Sequence, residues 1–194
     1  MNLRVSILIV GATAVALLLG FAGVVVVGKV AQALRSAATS ETARQEFVAK
    51  WRPPRELTMA RLLPDRVGDS SVTSRVEIAQ WTNVGVDLAA VRGVYANPAG
   101  LTVEVVAART RPESEAADRE TVVASLKARL DRQSGTKTVI TLGDRWQASA
   151  SEPPERLDLW ALPGWLILFR SDREIPLPFT KGYLEAIAEP QTRL

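Results

Sequence analysis

The stretch LTVEVVAAR, residues 101–109, places Leu101, Val103, Val105 and Ala107 in alternation with Thr102, Glu104 and Val106. Successive side chains of a strand point to opposite faces, so a period of two reads as a strand. Just before it stands Asn97-Pro98-Ala99-Gly100. There Pro fixes φ and Gly tolerates a positive φ, which makes a turn. Val86 to Ala96 then pairs back on 101–109 as an antiparallel hairpin. Upstream, Ser71 to Trp81 reads as a further strand, with Val72, Val76 and Ile78 on one face. A short helix over Arg55–Leu63, ended by Pro64, precedes it.

Downstream of the hairpin the period changes to that of a helix. Over Pro112–Gln133 the residues Val122, Val123, Leu126 and Leu130 form one stripe. Pro112 suits the first turn, and Glu113, Glu115, Asp118 and Glu120 lie near the positive end of the helix dipole. Lys127, Arg129 and Arg132 lie near its negative end, and Gly135 is placed to follow a C-cap. Strands return at Lys137–Leu142 and Arg145–Ala150, around Gly143-Asp144. A second hairpin, Arg156–Leu162 with Trp165–Ser171, turns at Pro163-Gly164. The proline-rich loop Ser151-Glu152-Pro153-Pro154 separates the two hairpins. Phe179, Tyr183, Leu184 and Ile187 mark a last helix, stopped near Glu189-Pro190.

The order βββ-α-ββββ-α with tight turns predicts an α+β domain, a single antiparallel sheet with helices packed on one face. Both halves run strands and then a helix, with no repeat at the level of residues.

The amino-terminal region reads differently. Val5 to Gly28 contains no charged side chain. As a helix it would be about 36 Å long, enough to cross a hydrocarbon core of ~30 Å. Met1-Asn2-Leu3-Arg4 and Ala31-Gln32-Ala33 imitate a signal peptide and its cleavage site. The apolar run is too long for the core of a signal peptide, and Lys29 stands between it and that site. Residues 1–28 are therefore expected to be an uncleaved single-pass anchor. Residues 29–52 continue as a helical stalk rich in Ala, Gln, Glu and Arg, until Pro53-Pro54 stops the helix. Phe47, Val48 and Trp51 form an apolar patch at its far end, suited to docking. Residues 53–194 form the globular domain. Lys29, Arg35 and Arg44 by themselves favour a cytoplasmic domain. A short tail, one anchor and one domain favour the extracytoplasmic side, and that is the orientation we expect.

Composition removes many chemistries. Among 194 residues there is no Cys and no His. That excludes disulfides, thiolate nucleophiles, imidazole bases and every site ligated by those side chains. Set aside Arg4, Lys29, Arg35, Arg44, Lys50, Glu41 and Glu46, and 19 basic and 19 acidic groups remain of the total 24 and 21. The domain thus has no net positive charge with which to displace counterions from a nucleic acid, and no nucleic-acid partner is expected. Asp65, Asp69, Asp144, Asp158 and Asp172 fall in or beside expected turns, where Asp is a common turn residue. A Ser–Lys dyad through Lys127, Lys137 or Lys181 has no spacing to single it out. No phosphate-loop or calcium-loop motif occurs, so no cofactor and no metal is expected. Trp146, Trp160 and Trp165, near Phe169, are expected to fill the core rather than to form a ligand platform.

Inside the anchor Ala12, Ala16 and Gly20 recur every four residues, with Gly23 on the same side. Small residues at that spacing let a second helix approach closely. The expected function is a non-enzymatic membrane-anchored accessory or scaffold subunit, with other membrane-protein subunits as partners. The alternative is a tethered domain that binds a small apolar ligand or lipid. A filled space between sheet and helix favours the first, and a cavity of ~300 Å³ or more favours the second.

Overall fold

The computed structural model describes residues 42, 45–54, 58–81 and 84–189. The chain divides into two compact units, Met1–Ala49 and Lys50–Leu194. In the first, the described residues from 45 onward are helical. The expected anchor, with Ala12, Ala16, Gly20 and Gly23, lies outside the described residues. Among the described residues no helix is long and apolar enough to cross a membrane.

The described residues of the second unit form one antiparallel sheet of eight strands and three helices, an α+β arrangement. Helix α1 spans Met59–Leu62 and is capped by the Thr58 hydroxyl, which accepts from the Arg61 N–H. Strands β1 (Arg66–Val67), β2 (Ser70–Ile78), β3 (Ala90–Ala96) and β4 (Thr102–Arg109) form a meander. Helix α2 (Glu115–Asp131) follows. Strands β5 (Ser134–Leu142), β6 (Arg145–Glu152), β7 (Pro154–Leu162) and β8 (Trp165–Ser171) form a second meander, and α3 (Leu177–Ile187) closes the chain. Strands β4 and β8 join the two halves, giving the order β1-β2-β3-β4-β8-β7-β6-β5.

The helices do not share one face, and this corrects the expected packing. Val122, Leu126 and Leu130 of α2 lie in one cluster with Val106, Ala108, Leu166 and Leu168. The Phe179 and Tyr183 rings of α3 instead meet Tyr95 and Phe169 edge to face. Phe169 and Leu168 are neighbours on β8, so their side chains leave opposite faces. The reason lies in the central strands. From Trp165 to Phe169 every residue of β8 is buried, and both its faces need a cover.

Several local expectations shift. Val86 and Leu88 do not belong to a strand. They are buried in the core beside Trp81, whose N–H donates to the Leu88 carbonyl. Gly68-Asp69 is the turn of a small β1–β2 hairpin, with Gly68 at φ 60°. Gly135 does not follow the α2 cap, which is Arg132. Gly135 sits at the register shift at the start of β5, with φ 80° and no room for a Cβ against Ser151. The proline-rich segment Ser151–Pro154 is not a loop between hairpins, because β6 and β7 pair right through it. Its Glu152–Pro153 bond is cis.

Candidate functional site

Among the expected docking residues, Trp51 is buried in the second unit, and its indole Nε1–H donates to the Leu184 carbonyl at 2.9 Å. Nearby groups satisfy the last turn of α3, whose carbonyls have no partners within the helix. The Arg61 guanidinium donates to the Ala186 and Ala188 carbonyls. The Glu189 N–H donates to the Arg52 carbonyl. Phe47 and Val48 are half-buried, in the helical residues of the first unit.

Under α2 the sheet carries a charged network. The Glu155 carboxylate is buried and accepts from Arg129 at 2.8 Å, Arg170 at 2.7 Å and Gln133 at 2.6 Å. Arg170 also meets Glu104 at 3.4 Å, and Arg92 lies 4.0 Å from Glu104. Arg92, Glu104, Arg129 and Arg170 of this network line a cavity of about 100 Å³ together with Trp81, Leu126 and Leu168. That cavity is smaller than the ~300 Å³ at which small-molecule sites begin. At the start of α2 the buried Asp118 pairs with Arg111 at 3.0 Å and accepts from the Ser114 hydroxyl at 2.9 Å. The Asp118 hydrogen bond raises the Arg111 pKa above its ordinary value.

Under α3 the sheet is aromatic. The Tyr183 hydroxyl donates to the Leu62 carbonyl at 2.6 Å, and the Tyr95 hydroxyl to the Pro64 carbonyl at 3.0 Å. Burial pushes both phenols well above their usual pKa, and for Tyr95 the positive charge of Arg75 partly offsets it. The Arg75 guanidinium itself bonds the Leu63 carbonyl and the Asp65 carboxylate. Beside this cluster, at the end of β2, β3 and β4, an open pocket of about 420 Å³ is lined by Leu62, Val91, Ala107 and Trp165, with Glu77 and Arg109 at its rim.

Further along the same face, Arg145 grips Asp158 with two hydrogen bonds, 2.7 and 2.6 Å, and lies 4.8 Å from the centre of the Trp160 ring. Asp158 is buried in mid-strand rather than in or beside a turn, and Arg145 on β6 neutralises it. Beside the pair a shallow groove of about 280 Å³ runs past Thr138, Gln147, Arg156 and Glu174. Strand β5 is the outer edge of the sheet, and all its residues are exposed, including Val139, Ile140 and Leu142.

The three tryptophans are all buried, as expected of core residues, but the sheet parts them. Trp146 packs under α2, while Trp160 and Trp165 face the other way, since Leu159 and Leu166 belong to the α2 cluster. Lys137 donates to the Asp131 carbonyl, and Lys181 pairs with Glu185. Among the described residues no group of three or more acidic side chains gathers as a metal site would. Sequence reasoning missed Glu155 and its two arginines. They come from β7, α2 and β8, and no local spacing links them.

No family model matches the chain, and no curated protein matches it. Among solved structures, a GTP-binding regulator from Thermotoga maritima is similar at 12% identity and a TM-score of 0.44. That likeness covers 71% of this chain and 89% of the other.

Proposed function

We propose that the chain is a non-enzymatic, single-pass membrane-anchored accessory subunit of a larger membrane protein complex. Residues 1–28 form the anchor, 29–52 the stalk, and 53–194 an extracytoplasmic domain. The observation that carries the reading is the β5 edge. It presents nine residues with a single charge, Lys137, and three exposed large apolar side chains. An edge of that kind offers unpaired backbone groups to another strand, and proteins that stay alone usually blunt such an edge. The opposite edge, β1, is only two residues long. The charge-free Val5–Gly28 segment supplies the membrane part, with Ala12, Ala16, Gly20 and Gly23 as its packing stripe.

The test is co-purification in a gentle detergent. Ile140→Lys adds a charge to the edge, and Gly20→Leu adds bulk to the anchor stripe. Both are expected to release the partners while the protein stays in the membrane. Leu18→Phe, off the stripe, is the control and should change less. Full retention of partners in both variants would refute the assignment of these surfaces. Peptide sequencing of the mature protein checks the anchor, and a new amino terminus at Leu34 would mean that the segment is removed.

A second reading has its own support. The pocket of about 420 Å³ exceeds the size at which small-molecule sites begin, ~300 Å³. It lies on the α3 side of the sheet and not between sheet and α2. On this reading the domain holds a small, largely apolar ligand there.

A further inference from the structure

We propose that the pocket beside α1 takes a short peptide with both termini free, its ammonium at Glu77 and its carboxylate at Arg109. The inference rests on the ligand-binding reading of this pocket and is independent of the subunit reading. Glu77 stands opposite Val91 in the β2–β3 pair, and Val91 stands opposite Ala107 in the β3–β4 pair. Arg109 lies two residues further along β4. All four side chains therefore leave the same face of the sheet. Val91 and Ala107 make an apolar floor, with Leu62 and Trp165 as walls. The two charged groups stand on opposite sides of that floor, both exposed, and neither has an ion-pair partner among the described residues.

The spacing selects the ligand. Two strand intervals and two residues along the strand put the Cα atoms of Glu77 and Arg109 about 12 Å apart. The termini of an extended tripeptide are about 10 Å apart, so the side chains need only lean inward. The guanidinium fork suits a carboxylate, and Glu suits an ammonium group. Between the charges only apolar groups line the floor, so the middle residue of the ligand is aliphatic. A purely anionic or purely cationic ligand would meet one like charge at the rim. A free apolar molecule would leave both charges unused.

The experiment is calorimetric titration of the full chain in lipid nanodiscs with the tripeptide Ala-Leu-Ala. Forms acetylated at the amine, amidated at the carboxylate, and blocked at both ends follow. Each single block is expected to weaken binding by about 5-fold, the upper end for an exposed ion pair. In Glu77→Gln acetylation should no longer matter, and in Arg109→Gln amidation should no longer matter. Both residues are on the rim, so neither variant disturbs the core. Equal binding of free and doubly blocked peptide would overturn the peptide inference while leaving an apolar-ligand site standing. No binding of any form at millimolar concentration would overturn both.

Discussion

The two faces of the sheet are covered by different means. Under α2 the contacts are mostly aliphatic, with Trp81 and Trp146 among them, and the buried Glu155 is held there between Arg129 and Arg170. Under α3 they are aromatic, with two tyrosine hydroxyls bonded to the carbonyls of Leu62 and Pro64. The α2 side leaves a cavity of about 100 Å³, and the α3 side leaves an open pocket of about 420 Å³. A small aliphatic stripe on a long helix can nest closely against a sheet. Large rings on the shorter α3 fill the centre and leave the end of the strands uncovered. The larger open pocket therefore lies on the α3 face.

The difference also bears on the similar rhythm of the two halves. A two-fold axis relating β4 to β8 would run perpendicular to the sheet and would keep α2 and α3 on the same face. They lie on opposite faces, so the shared order of strands and helix is not a structural repeat.

Core truncations separate the faces most strongly. Phe169→Ala removes the ring that meets both Phe179 and Tyr183, and should cost about 3–5 kcal/mol. Leu126→Ala on the other face should cost about 2–5 kcal/mol. Denaturant unfolding of the full chain measures both. An unchanged midpoint for Leu126→Ala would mean that the α2 register is wrong.

Alkali should act on the α3 face. Both phenols titrate above their ordinary pKa of 10.0 in the folded chain. Above about pH 10 the unfolded chain therefore releases protons that the folded chain still holds. Their contribution is complete below that pH and is lost as pH rises. The double variant Tyr95→Phe, Tyr183→Phe should show a shallower alkaline fall of its melting temperature than the parent. Below pH 9 it should be less stable, by about 0.5–1.5 kcal/mol for each lost hydrogen bond. Equal alkaline slopes would place the tyrosines in water.

The smallest effect is expected at the edge. Val139→Thr on β5 should leave stability within about 0.5 kcal/mol, because the side chain is exposed. A larger loss in the purified protein would mean that β5 is covered by the chain itself.

Much of this architecture was legible in the residues. The turns at Asn97–Gly100, Gly143-Asp144 and Pro163-Gly164, and the stripes of α2 and α3, stand where local chemistry puts them. The packing of the helices was not. Alternation marks a strand with one buried face, whereas the unbroken apolar run Trp165–Phe169 marks burial on both. That run was the available sign that two faces needed covers. The candidate sites were less legible. Asp158 looks like a turn residue until Arg145 is seen beside it, and Glu77 and Arg109 are brought together only by the register of three strands. Of the docking patch, Trp51 has a visible partner in the Leu184 carbonyl, while the anchor stripe lies outside the described residues.

If the chain is an assembly subunit, the particle that carries it out of its native membrane contains other proteins. Purification in a gentle detergent followed by mass spectrometry should yield a stoichiometric complex with at least one other membrane protein. A chain that emerges alone from every mild detergent would contradict the subunit reading and leave the ligand pocket as the better account of what the protein does.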